Sequence, residues 1–236
     1  MMKKTVLALA LLATTASAFA ADSVDVRVIG TIVPAACTPT LSGGGTVDYG
    51  TIKANTLSAT DYTVLPEKQI DFSISCDAPA KVALLANSGR PGSLVAVAGA
   101  PETAYGAAEA PVNLFGIGNV AAAGLGLDGT AKIGGYGVRI DSSTVTADGA
   151  AVDSLRAESN AGNVTAWAKD AYAGIVYSPY YQRMTSWSAP GTTTPVAFTN
   201  LAGKLGVQAY INKGDALDLS KPIHLDGLTT ITLLYL

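Results

Sequence analysis

The chain has 236 residues, 49% hydrophobic and only 14% charged, with 15 Lys and Arg against 18 Asp and Glu for a net charge of −3. That weak acidic balance excludes a nucleic-acid binder, which needs a basic surface to displace counterions. Two Cys and one His exclude a zinc module, and the apolar share excludes a disordered chain.

Lys3 and Lys4 precede the apolar stretch VLALALLA, and Ala18-Phe19-Ala20 then supplies small residues at positions −3 and −1. This is the pattern of a secretory signal peptide over residues 1–20, cleaved after Ala20. Its apolar core is too short to span a hydrocarbon layer of about 30 Å, and no long apolar run follows it. Residues 21–236 read as a single domain, because no linker divides two independently patterned halves. Export to an oxidising compartment pairs Cys37 with Cys76. Neither belongs to a Cys-x-x-Cys motif, so the pair is structural rather than a redox centre.

Val24, Val26 and Val28 alternate with Asp25 and Arg27, which is strand patterning. Pro34 ends it. Val47, Tyr49 and Ile52 form a short apolar set around Gly50. Ile70, Phe72, Ile74 and Cys76 share one face of a clear strand that Asp77-Ala78-Pro79 terminates, and residues 81–86 (KVALLA) read as the next strand. From about Leu94 to Gly137 Ala and Gly dominate, and the signal fades until Tyr136, Val138 and Ile140. Asp148-Gly149 is a hairpin turn. Helix is expected only in short pieces, for example over 166–172. Leu205, Val207, Ala209 and Ile211 alternate as a strand, Ile223 and Leu225 follow, and Asp226-Gly227 reads as another hairpin signal. In the closing segment LTTITLLYL, Thr229, Ile231, Leu233 and Tyr235 lie on one face and Thr230, Thr232, Leu234 and Leu236 on the other. Apolar residues on both faces predict a strand covered on both sides. Short strands at turn-separated spacing predict an all-β sandwich.

Catalysis has little to rest on. His224 is the single candidate histidine base, it alternates with Ile223 and Leu225 as a solvent-facing strand residue, and there is no Gly-x-Ser-x-Gly elbow. Gly116-x-Gly118 and Gly124-x-Gly126 follow no clear strand, which argues against a nucleotide site. Asp141, Asp148 and Asp153 match no calcium loop, so neither a metal nor a cofactor is expected. Asn163-Val164-Thr165 matches a glycosylation acceptor to which no role is given. The aromatic stretch holding Tyr177, Tyr180, Tyr181 and Trp187 reads either as a sugar-binding platform or as core and edge packing.

The exported chain thus opens on VIGTIVPAAC (28–37), closes IDFSISC (70–76) on its second Cys, and ends on a strand with Tyr235 penultimate. In these features it resembles subunits of chaperone–usher pili, or fimbriae, of Gram-negative bacteria. The stretches FSISCDAPAKVALLANSG and DGLTTITLLYL are similar to a fimbria-associated family, domain of unknown function 1120. The resemblance implies an immunoglobulin-like, pilin-type β-sandwich that lacks its last strand and carries a Gly/Ala-rich insertion. It implies no enzyme but a structural subunit, in a tip or adhesin-like position, completed by strand addition. Its implied partners are a periplasmic chaperone, an outer-membrane usher and neighbouring subunits, with passage through the periplasm to the cell surface. Thr229, Ile231, Leu233 and Tyr235 would border the acceptor groove, and a chaperone would hold the carboxylate of Leu236, since a chain ending there leaves no room for a further strand. Val24, Val26 and Val28 would be either a donor strand or simply the first strand. The competing reading is a self-complete secreted or periplasmic sandwich that binds a glycan or a host surface.

Overall fold

The computed structural model describes residues 24–33, 35–159 and 166–236, and Ala35–Leu236 form one compact unit. The signal peptide and Asn163-Val164-Thr165 lie outside the described residues. The strands that build the fold are β1 (Cys37–Leu41), β2 (Lys68–Ala80), β3 (Val82–Ser88), β4 (Ala107–Glu109), β5 (Ala121–Gly124), β6 (Gly134–Ile140), β7 (Asp153–Ser159), β8 (Ala168–Lys169), β9 (Gln182–Ser188), β10 (Phe198–Ile211) and β11 (Thr229–Tyr235). They form two antiparallel sheets, one in the order β1-β2-β10-β6-β5-β4 and one in the order β8-β7-β9-β3-β11. The protein is an all-β sandwich and not a closed barrel.

The shared core follows from the period-2 patterns. Phe72, Ile74 and Cys76 of β2, Leu205, Val207, Ala209 and Ile211 of β10, and Val82, Leu84 and Ala86 of β3 all turn inward. Trp187 of β9 is fully buried, with ring centroids 6.5 Å from Phe72 and 6.1 Å from Phe198. Cys37 and Cys76 face each other across β1 and β2 and are disulfide-bonded.

The Ala/Gly-rich middle is explained by coverage on both faces. Ala107, Ala121 and Ala123 join the main core, while Ala108 and Ala122 join a second one with Leu94, Leu114 and Tyr210 on the outer side of the same sheet. The covering loops come very close. A Cβ on Gly135 would sit 2.4 Å from the Tyr210 hydroxyl and 2.6 Å from a Leu94 methyl, and one on Gly137 would sit 2.8 Å from the Phe115 ring. Glycine is the residue that allows this approach. The Tyr210 hydroxyl donates to the Val95 carbonyl and ties the loop down.

Several expectations are corrected. Residues 24–33 carry no strand, and Val24, Val26 and Val28 are exposed, so the first strand is β1 and not 24–28. Alternation reports only that a segment suits a sheet, and this one has no ladder partner among the described residues. No α-helix occurs among the described residues, and residues 168–169 of the expected helix pair with β7 instead. β2 runs on through Asp77-Ala78-Pro79 to Ala80. Residues 221–228 are neither strand nor hairpin, because Asp226 is drawn to Arg90. Asp148-Gly149 does close a hairpin, joining Thr146–Ala147 to Ala150–Ala151 with both turn residues at positive φ.

Candidate functional site

The two sheets do not meet along one side, where β1 is the margin of the first and β11 the margin of the second. β11 pairs with β3 alone, from Thr229 opposite Ser88 to Tyr235 opposite Val82. The bonds at its two ends fix the phase of that ladder. Gly89 N–H donates to the Leu228 carbonyl at 2.7 Å and Leu236 N–H donates to the Lys81 carbonyl at 3.0 Å. Even-numbered residues therefore turn their backbone groups toward β3. In an antiparallel ladder the odd residues must then point theirs away. The amides and carbonyls of Thr229, Ile231, Leu233 and Tyr235 face a side on which the described residues supply no strand.

Beneath that edge is an apolar groove of ≈ 960 Å³. Its floor is the inner face of the first sheet, including Ile70, Val138, Leu205, Val207 and Ile211. One wall is the extended segment 46–52, whose Val47, Tyr49 and Ile52 are half-buried while Thr46, Asp48 and Gly50 are exposed. The other wall is β11 together with residues 221–228. Arg90 holds that second wall through two 2.8 Å bonds to the Asp226 carboxylate, and Lys221 donates to Asp128 at 2.9 Å. The Arg90 hydrogen bonds also hold the Asp226 carboxyl below its ordinary range. Beyond the groove lining, Cys37 N–H donates to the Tyr235 hydroxyl at 2.7 Å and ties the start of β1 to the end of β11.

Ile231 and Leu233 are half-buried against the main core, and Thr229 and Ile231 line the groove. Tyr235 and Leu236 remain about half exposed, at 51% and 50%. The outward face is not covered as expected, because Thr230 and Thr232 are exposed. The four-ring sugar platform does not form. Tyr177 and Trp187 are core residues at 2% and 0% exposure, and only Tyr180 and Tyr181 are exposed. Aromatic composition alone carries no period from which to read their sides. Asp141, Asp148 and Asp153 are held by separate partners: Ser143, the backbone amides of Thr199 and Asn200, and Lys169 with Gly191. His224 is exposed on the rim of the groove in a coil. Sequence reasoning missed the walls at 46–52 and 221–228. The alternation of Val47 and Tyr49 was the one available signal for the first.

Residues 26–137 match the family described as "Protein of unknown function (DUF1120)". Two relatives from Escherichia coli strain K12 cover nearly the whole chain. The uncharacterized protein YhcF is 33% identical over 227 residues, spanning 93% of this chain and 93% of its own. The chain belongs to the DUF1120 family. Protein GltF is 30% identical over 236 residues, spanning 93% of this chain and 92% of its own. No solved structure matches.

Buried phenols give the sandwich an alkaline limit. Burial pushes the Tyr49 phenol from 10.0 up to about 12, although its hydroxyl also accepts from Ala209 N–H. Burial raises Tyr136, Tyr177 and Tyr210 as well. Each folded pKa lies above its unfolded value. The stabilisation is thus complete below about pH 10 and is lost as pH rises toward the folded values, near about 12 for Tyr49. Urea midpoints should stay level up to about pH 9.5 and fall steadily above about pH 10, with tyrosinate absorbance rising late. A midpoint unchanged above that pH would contradict this assignment.

Proposed function

We propose that the protein is an exported, non-catalytic structural subunit of a chaperone–usher type fimbria that accepts a β-strand from another polypeptide. The observation that carries this reading is the open edge of β11 above an apolar groove. Unpaired backbone groups beside exposed apolar side chains are a template for strand addition, and left empty they promote aggregation. An added strand satisfies both at once. It pairs with the backbone groups of Thr229, Ile231, Leu233 and Tyr235, and its inward side chains fill the groove. A periplasmic chaperone would occupy the site first, and a neighbouring subunit would replace it at the usher. The exposed, alternating segment 24–33 suits the donating role.

Co-expression with a periplasmic pilus chaperone tests the reading. The expected product is a one-to-one complex, with the chain aggregating or being degraded when produced alone. A stable, monodisperse monomer purified without any partner would count against it.

A further inference from the structure

A charge imbalance stands on the side of the second sheet away from β11. Glu158 of β7 lies directly opposite Arg183 of β9, and Arg156 is two residues before Glu158, so the three side chains share one face. Arg183 is buried, with 4% of its side chain exposed, and all its nitrogens are engaged. Nε and Nη2 donate to Glu158 Oε1 at 2.8 and 2.6 Å, and Nη1 donates to the Ile175 carbonyl at 3.1 Å. Arg156 reaches the same carboxylate through Nη1, at 3.2 Å. Two guanidiniums thus share one carboxylate. Asp170 accepts from the Tyr172 and Gly174 amides instead, and among the described residues it pairs with neither arginine. Arg156 Nε is buried and has no hydrogen-bond partner. An unsatisfied buried donor costs about 1–3 kcal/mol, and more when it carries charge.

We propose that Arg156 anchors a binding site for a sugar that carries one carboxylate. With Nη1 held by Glu158, the Nε–Nη2 edge is the side of the guanidinium left to a ligand. That edge is a fork that grips a carboxylate through two parallel bonds. The Arg156 side chain is 25% exposed, so its charge is within reach of solvent where that of Arg183 is not. The local excess is a single positive charge, which one carboxylate neutralises. A polyanion would be opposed by the net charge of −3 on the whole chain.

Exposed tyrosines beside the arginines favour a sugar over other carboxylates. The Tyr172 ring lies over both guanidiniums, 5.0 Å from Arg156 and 4.4 Å from Arg183, and the residue is exposed. It is held there by a tight turn in which Ile175 N–H donates to the Tyr172 carbonyl at 3.1 Å and Ala173 takes a positive φ of 51°. A left-handed conformation at a residue other than glycine persists only where its surroundings enforce it. Tyr180 and Tyr181, also exposed, lead into β9 with ring centroids 6.3 Å apart, and Tyr181 is two residues before Arg183. Such rings offer an apolar face to the C–H face of a pyranose and a hydroxyl to its polar rim. β9 and β3 separate β7 from β11, so the site stands apart from the groove and does not rest on the strand-acceptor reading.

The test uses residues 21–236, purified with the co-expressed chaperone, or alone if the chain is soluble by itself. D-glucuronate and N-acetylneuraminate are titrated in, with binding read by ligand-observed NMR. At least one should bind, and the tighter of the two identifies the type of acidic sugar. Its methyl ester, which keeps the ring and loses the charge, should bind on the order of tenfold more weakly, and so should acetate, which keeps the charge and loses the ring. Arg156→Lys keeps the charge and loses the fork, and should also cost on the order of tenfold. Tyr172→Phe keeps the ring face and should stay within about twofold of native. Equal binding of acid and ester to the unaltered chain would overturn the carboxylate contact, whether or not the variants fold. Acetate binding as tightly as the sugar would overturn the sugar assignment. Native affinity in a folded Arg156→Lys variant would overturn the fork. Binding of neither sugar would overturn the site as a whole and leave the strand-acceptor reading untouched.

Discussion

Replacing Ile231 by Asp is expected to abolish capture of a donor strand or chaperone, while Thr230→Asp leaves capture near its native level. The two residues are adjacent on β11 and point to opposite sides of it. Ile231 packs half-buried against the main core, lines the groove and turns its backbone groups to the open edge. Thr230 is exposed and turns its backbone groups to Asn87 of β3. An aspartate at 231 would forfeit the remaining half of Ile231's apolar burial when the groove closes, about 1 kcal/mol. It would also place a carboxylate under the incoming strand with nothing to pair it, at a cost of at least a few kcal/mol more. Together these exceed about 4 kcal/mol, or roughly a thousandfold in affinity. The empty protein should lose much less stability, since Ile231 is only half-buried before the strand arrives. Co-purification with the chaperone and calorimetry with a donor peptide read both variants. Equal loss in both, or loss in neither, would mean that the β11 edge is not where the partner docks.

The second large effect is expected from the disulfide. Cys37 and Cys76 are 39 residues apart, and the chain-entropy account assigns closure of such a loop about 4 kcal/mol, with removals from exported domains costing about 2–5. Little else holds β1. It is five residues long, its middle three are exposed, and its one ladder is with β2. A Cys37→Ser/Cys76→Ser double variant should therefore lose about 4 kcal/mol in urea denaturation and also bind the donor strand more weakly, because segment 46–52 follows β1 after the short turn Ser42–Gly45 and forms one wall of the groove. Stability lost with unchanged strand binding would show that the wall stands without β1.

The parts of the fold that were legible in the sequence are those where one face is buried and the other is wet. Ile70-Phe72-Ile74-Cys76 and Leu205-Val207-Ala209-Ile211 alternate because polar residues are tolerated at every second position, and both became central strands. The Ala/Gly-rich middle was illegible for the opposite reason. β4, β5 and β6 are covered on one face by the main core and on the other by closely approaching loops, so small residues occupy both parities and no period survives. Trp187 and Tyr177 were ambiguous as single residues, since burial of an aromatic ring depends on what packs against it.

The candidate site divides in the same way. The residues of the closing strand, their parity and the cysteine pair are properties of the local sequence, and these the chain determined by itself. Whether Thr229, Ile231, Leu233 and Tyr235 meet a neighbour was decided only by the tertiary structure. Alternation specifies a face but not a partner, so Val24–Val28, which has no ladder among the described residues, and β11, which has one on a single side, read alike in sequence. The walls at 46–52 and 221–228 belong to the tertiary level too. They are positioned by contacts far along the chain, Tyr49 with Val207 and Ala209 and Asp226 with Arg90, and no local pattern encodes those.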